Sequence, residues 1–303
     1  MPTMTQPHNR RRVATLVCHV AAGGTTTGVG GGIAKAFDKS SSKMQVGGQV
    51  DAPKSEAELR VELAAAYRIV AHLGWDDGIQ NHLTVSIPGQ QNQYLINSYG
   101  MGFDEVTASS LVKIDVDGNV IDPGSVAGAV NLAGFNIHGA IHRARPDAVC
   151  VAHTHERHTA ATASMKCGFL PGLSQHALLT GDVPIHPYAP TVGPGSEEEC
   201  AAMCETFGTA RTMLMENHGV VTVGGSIAEA MMRLWYVTKA AEIQVAALST
   251  RDGVAAVNQV TNPQHMAMLS KGGDGFLRGV VADAEFAHHK RVIDRVNPGY
   301  DDL

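Results

Sequence analysis

From residue 54 onward the chain switches repeatedly between helical and strand-like periodicity. In SEAELRVELAAAYRIVAHLGW (55–75), Leu59, Leu63, Tyr67 and Val70 recur at three- and four-residue intervals and so line one face of a helix. Ser55 is placed to cap it, Glu58 completes a capping box, and Gly74 ends it. Short strand-like runs follow, HLTVSI (82–87) and QYLINS (93–98). In LVKIDVDGNVI (111–121) apolar and polar residues alternate around Asp117-Gly118, which predicts a hairpin and a sheet that is at least partly antiparallel. NLAGFNIHGAIHRARPD (131–147) reads as a helix closing at Pro146, AVCVAHTH (148–155) as a buried strand, and HTAATASM (158–165) as a short helix. A further helix, EEECAAMCETFG (197–208), stops at Gly208; TMLMENHG (212–219) and VVTVGG (220–225) read as two strands around a glycine turn. Residues 226–248 form a long helix with Ser226 as cap, Glu229 three positions on, and Met231, Met232, Leu234 and Trp235 as its core stripe.

These elements make one α/β body over residues 54–250. Residues 251–303, Gly-rich and broken, are expected to be a C-terminal tail with short helices, and residues 1–53 a flexible Gly/Ser-rich extension. In that extension Arg10, Arg11 and Arg12 precede VATLVCHVAA, the outline of a secretory leader without a convincing cleavage pattern. GGTTTGVGGGIAKAF resembles the phosphate loop of short-chain dehydrogenases, with Gly24, Gly28 and Gly30 in the glycine places. A dinucleotide site needs a complete βαβ unit behind that loop, and the pattern dissolves within ten residues into SSSKMQVGGQ.

Composition narrows the function classes. With 44% hydrophobic and 17% charged residues in 303, the chain suits a globular protein. Lys plus Arg number 23 and Asp plus Glu 29, a net charge of −6, so the positive field that attracts a nucleic-acid backbone is missing and no such partner is expected. No apolar run approaches the roughly 20 residues of a membrane helix, so no membrane span is expected either. Five scattered cysteines without a CxxC pair fit reduced thiols, and hence a cytoplasmic protein. Fifteen histidines point toward metal or acid–base chemistry.

The chemistry gathers where two strands end in histidine. His153 and His155 stand two apart at the end of an apolar strand, so both imidazoles face one side and their nitrogens can reach one ion at about 2.1 Å. His218, in a tight turn between two apolar runs, offers a third nitrogen, and Gly219 beside it lets the backbone approach closely. An HxH pair alone is a weak signal; after a buried strand, and with NHG between two strands, it becomes a strong one.

The succession NLAGFNIHGAIHRARPDAVCVAHTH, SMKCGFLPGLSQHAL and MENHGVVTVGGSIAEAM resembles the class II aldolase/adducin family over residues 55–250. The likeness is greatest to its adducin-like branch, which shares AGFxxHxAI, ARPD, HxH, MKCGLLP and NHG. The resemblance implies a three-layer α/β/α fold with a central mainly antiparallel sheet. It matches His153, His155 and His218 to the positions that hold a divalent ion, zinc first and iron or manganese as alternatives. In catalytic members that ion is a Lewis acid that stabilises an enediolate while a carbon–carbon bond breaks or forms. The resemblance also implies a homo-oligomer, a tetramer, with the site near a subunit interface.

The departures from the family pattern are as informative. Where the sugar-phosphate aldolases carry a Ser-Ser-Glu segment ending in their acid/base carboxylate, this chain has Leu132-Ala133-Gly134, and Gly134 transfers no proton. The Thr-Pro-Ser-Gly phosphate turn is replaced by Asn97-Ser98-Tyr99-Gly100, which disfavours a phosphorylated substrate. The upstream Gly-Asn-x-Ser position reads Asn81-His82-Leu83-Thr84. His82, Thr84, Asn97 and Gly100 are therefore the expected contacts to a small-molecule substrate.

Replacement acid/base groups are sought among His138 and His142, four apart on one helix face; Tyr188, beside His186 at a strand end; and Glu216, two positions before His218 and so expected on its face. His158 at a helix start and Tyr300 in the tail are further candidates. Glu105 and Cys167 read as structural. The expected function is a metal-dependent, lyase-type enzyme acting on a small non-phosphorylated hydroxy- or oxo-acid. The alternatives are an adducin-like interaction module without turnover, and iron(II)-dependent oxygen chemistry on an aromatic oxo-acid.

Overall fold

A computed structural model describes residues 54–189 and 196–303. The expectations for residues 1–53 lie outside them. Helix α1 (Glu56–His72) starts at Ser55, whose side chain accepts from the Glu58 N–H while the Glu58 carboxylate accepts from the Ser55 N–H, the anticipated capping box. Strands β1 (His82–Ser86) and β2 (Gln93–Ile96) follow, then the hairpin β3 (Val112–Asp115) and β4 (Val120–Asp122). The Asp115 carboxylate accepts from the backbone of Asp117 and Asn119 there, and Gly118 takes φ 82° in the turn. Helix α2 (Leu132–Ala144) is capped by Asn131 and ends before Pro146, leading into β5 (Cys150–Thr154).

Helix α3 (Arg157–Ala163), helix α4 (Gln175–Thr180), strand β6 (Ile185–His186), helix α5 (Ser196–Phe207), strands β7 (Thr212–Met215) and β8 (Gly219–Gly224) and helix α6 (Ile227–Leu248) come next. Eight strands form one sheet in the order β4-β3-β2-β1-β5-β8-β7-β6. Every neighbouring pair is antiparallel except β6 with β7.

Strand alternation sends side chains to two separate cores. Val151, Met213, Met215, Val221 and Val223 pack against Ile137 and Ile141 of α2 and Met203 and Phe207 of α5. Their neighbours Cys150, Ala152, Leu214 and Val220 turn the other way, to Leu63 and Val70 of α1 and Leu234 of α6. The result is the anticipated α/β architecture of three layers around a mainly antiparallel sheet. Its register pairs His82 with His153 and Thr84 with Val151, so alternation puts these four side chains on the α2 face.

After residue 250 the structure departs from the sequence expectation. Helices α7 (Pro263–Phe276) and α8 (Val280–Val296) are 14 and 17 residues long and belong to the domain rather than trailing it. Leu277, Ala282, Phe286, Ile293 and Tyr300 join the core under α1 and α6. The Ala108 N–H donates to Tyr300 O at 2.8 Å, and the Arg68 guanidinium donates to Asn297 O at 3.0 Å. One of the glycines that suggested a broken segment serves packing: a Cβ on Gly273 would collide with the backbone of Leu179 at the end of α4, a helix the sequence did not signal.

Candidate metal centre

Strand β5 delivers His153 at its buried end, and His155 lies just beyond it. The third histidine depends on the turn from β7 to β8. Asn217 takes φ 53° and the His218 N–H donates to Met215 O at 3.0 Å, which turns the His218 ring toward β5. Gly219 is required at this point because a Cβ there would overlap Thr154 O, the close approach anticipated from the sequence. His155 Nε2 then lies 3.0 Å from His153 Nε2 and 2.9 Å from His218 Nε2, and the three ligand atoms all fall within 4.8 Å of one another.

The outer nitrogens define what the inner ones are. His153 Nδ1 lies 2.9 Å from Val220 O and His155 Nδ1 2.9 Å from the Asp77 carboxylate. Each Nδ1 must therefore donate, which leaves the Nε2 lone pairs of His153 and His155 facing each other. Burial depresses the His153 pKa well below the usual histidine value and that of His218 to about 4, with the neighbouring imidazoles adding to it, so both rings are neutral near pH 7. Converging neutral lone pairs repel unless a cation lies between them. The donor set fits a divalent ion of the zinc type held on three imidazoles.

A second group of polar side chains lies against this triad from α2 and β1. The His82 ring stacks on His153 (centroids 5.9 Å apart, planes 21°) and meets His138 edge to face (5.4 Å, 87°). A Cβ on Gly134 would collide with the Nε2 edge of the His82 ring. The imidazole thus fills the space beside α2 where a side chain at 134 would begin. The Asn131 amide oxygen accepts from the Gly134 N–H, which turns its amide nitrogen toward His82 Nε2 at 3.4 Å. Thr84 Oγ1 lies 2.8 Å from both His138 Nδ1 and His142 Nε2, and His142 Nδ1 lies 2.9 Å from Ala148 O. His82 Nδ1 and His138 Nε2 are buried with no hydrogen-bond partner among the described residues. Burial lowers the pKa of His82 and of His142 to about 4, and holds that of His138 well below the ordinary histidine value.

The remaining sequence candidates fall elsewhere. Thr84 is engaged between His138 and His142. Asn97 Oδ1 accepts from the Tyr67 hydroxyl at 2.9 Å, and Gly100 occupies a turn at φ 95°. The same-face argument for Glu216 fails because β7 ends at Met215; its carboxylate instead accepts from the Tyr188 N–H at 3.1 Å, and the Tyr188 ring is 65% exposed. His158 lies against Glu156, the α3 cap, and His186 between Glu199 and Thr206. Tyr300 donates to Asp294 from within the core rather than reaching over a site. Sequence reasoning missed Asp77 and Asn131. Asp77 had only the DDG stretch after the first helix to announce it, and Asn131 reads as a helix cap, which it also is.

A histidine triad at the ends of the interior strands β5, β7 and β8 of a mainly antiparallel α/β/α sheet defines a class of fold and site, and comparison with known proteins gives it a family. The chain belongs to the family of the class II aldolase and adducin N-terminal domain, whose model matches residues 61–245. A Caulobacter vibrioides protein named for class 2 aldolases is 38% identical over 251 residues, 82% of this chain and 94% of its own. Mouse alpha-adducin is 39% identical over 220 residues, covering 72% of this chain but 28% of the adducin. Among solved structures, an aldolase II superfamily protein from Pseudomonas syringae superposes with a TM-score of 0.76 at 35% identity, covering 83% of this chain and 98% of that one. The L-fuculose 1-phosphate aldolase of Glaciozyma antarctica gives 0.67 at 27% identity, over 80% and 92%. Among the described residues no helix is long and apolar enough to cross a membrane.

Proposed function

We propose that this chain is a metal-dependent, lyase-type enzyme acting on a small, non-phosphorylated hydroxy- or oxo-acid. The observation that carries this reading is the pair of Nε2 lone pairs on His153 and His155, fixed by Val220 O and Asp77 and directed at each other across 3.0 Å, with His218 completing the set. Zinc suits three imidazoles, and iron or manganese are the alternatives. A divalent ion held there supplies a Lewis acid for paired substrate oxygens as a carbon–carbon bond is broken.

The chain's own residues supply the rest. His153 and the ring of His82 wall the site with neutral imidazoles. Gly134 brings no carboxylate, so acid/base work falls to the histidines, with His138 and His142 joined through Thr84 by two hydrogen bonds. Asn97 donates its amide N–H to Ser98 O and its backbone N–H to the Tyr67 hydroxyl, which argues against a phosphate cradle. Exposed Tyr188, with Glu216 at its backbone, suits a face covered by another copy in a cytoplasmic homotetramer.

The first test is elemental analysis of tag-free protein, wild type beside His155→Ala. One equivalent of zinc, iron or manganese in the wild type and its loss in the variant is the expected result. No metal in either, even after reconstitution, would favour the second reading, an adducin-like interaction module, for which the 39% identity to mouse alpha-adducin speaks.

A further inference from the structure

The hydrogen bonds around Thr84 have only one consistent direction. His142 Nδ1 faces Ala148 O, an acceptor, so it carries the ring proton and His142 Nε2 is a lone pair. That lone pair takes the Thr84 hydroxyl hydrogen at 2.8 Å. The remaining contact of Thr84 Oγ1, to His138 Nδ1 at 2.8 Å, must then be one in which His138 donates. His138 Nε2 is left as an acceptor. It is fully buried, lies on the side of the ring away from Thr84, and has no partner among the described residues.

His82 has the opposite polarity. The Asn131 amide nitrogen faces His82 Nε2, which makes that nitrogen the acceptor and places the ring proton on Nδ1, also buried and also without a partner among the described residues. Beside the triad there is thus one unsatisfied acceptor and one unsatisfied donor, on rings whose centroids are 5.4 Å apart. A buried polar atom left unpaired costs about 1–3 kcal/mol, so such a pair is expected to be satisfied by whatever occupies the site.

We infer that His138 and His82 read the substrate, His138 Nε2 accepting the hydrogen of a substrate hydroxyl and His82 Nδ1–H donating to a second substrate oxygen. This rests on the proposed metal-dependent function and narrows it: the substrate is a hydroxy acid, not a plain oxo-acid, because a carbonyl oxygen offers His138 no hydrogen. Thr84 and His142 are positioning residues that keep His138 in its acceptor tautomer. Gly134 belongs to the same device, since only a residue without a Cβ leaves the His82 ring its place.

The test compares wild type, Thr84→Val, which removes the hydroxyl at nearly constant volume, and Thr84→Ser, which keeps it. Nitrogen-15 spectra of the imidazoles in the purified full chain should show His138 protonated at Nδ1 and bare at Nε2 in the wild type and Thr84→Ser, and mixed tautomers in Thr84→Val. Calorimetry on the zinc-loaded chain should show glycolate binding about tenfold or more tightly than methoxyacetate, which lacks the hydroxyl hydrogen. That ratio should fall toward one in Thr84→Val and survive in Thr84→Ser. A merely structural Thr84 would change stability and leave the ratio alone, which overturns the inference. A proton on Nε2 in the wild type also overturns it, as does a zinc-loaded chain that takes both probes alike or neither; in that case the metal reading stands. A chain that loads no zinc removes the metal reading instead, and the spectra still decide the His138 tautomer.

Discussion

The His82 imidazole occupies the volume that a Cβ on Gly134 would enter. Position 134 is the third residue of α2, where alanine would ordinarily gain up to about 1 kcal/mol of helix propensity over glycine. Here the obstacle is a buried ring held between His153 and His138, not the free end of a flexible side chain. Overpacking of this kind costs about 1–3 kcal/mol, so it outweighs the propensity gain. Gly134→Ala should lower stability in urea by about 1–2 kcal/mol. In His82→Ala that penalty should vanish, giving a non-additive cycle; additive effects would show that the two residues do not share this space.

Asp77 is 58% exposed at its side chain and its carboxylate lies 2.9 Å from His155 Nδ1. It carries no core packing, so its removal isolates the orientation of the ligand. Asp77→Ala should fold as the wild type and bind zinc about 10- to 100-fold more weakly in competition with a chelator. Unchanged affinity would mean that the His155 tautomer is fixed by something else.

How much of this was legible beforehand depends on whether the information is local. The helix at 56–72 announced itself through Ser55 and Glu58, and the strand ending in His153 through its apolar run, because capping and alternation are written within a few residues. The triad was readable for the same reason, each histidine closing a buried strand or sitting in a glycine turn. The fate of the last fifty residues was not. Gly273 looks like a helix breaker in isolation and is a helix residue here because Leu179, far away in sequence, leaves no room for a side chain. The chain of contacts from His142 through Thr84 to His138 was half visible: the two histidines share a helix face, but the hydroxyl that joins them arrives from another strand. Glu216 failed because alternation was extended past the end of β7.

The C-terminal segment offers a direct check on that correction. Ile293 of α8 is fully buried among side chains of the main core. Its truncation to alanine removes three buried carbons and leaves a cavity, which costs about 2–5 kcal/mol. Ile293→Ala should lose that much in urea unfolding, and a chain ending at residue 250 should aggregate. A tail would tolerate both changes, and a variant within about 0.5 kcal/mol of wild type would return the segment to that status.

The buried histidines also fix how the metal-free protein responds to acid. His82, His142 and His218 titrate near 4 when folded, and His138 and His153 are likewise held well below the ordinary histidine value, chiefly because burial disfavours the charged ring. In the unfolded chain each titrates near the ordinary value of about 6.5. Above that value both states are neutral and these groups add no pH dependence. Between 6.5 and 4 the unfolded state binds protons that the folded state refuses, so stability falls as the pH falls, by up to about 1.4 kcal/mol per unit for each such ring. Below 4 the loss levels off for the three rings that titrate there. Urea unfolding of chelator-treated protein should therefore show a steep decline starting near pH 6.5, well above the range in which carboxylates titrate. His142→Phe, which removes one of these rings, should make that decline shallower. A stability profile flat between pH 7 and 5 would mean that water reaches these rings and that the unpaired nitrogens of His82 and His138 are solvated.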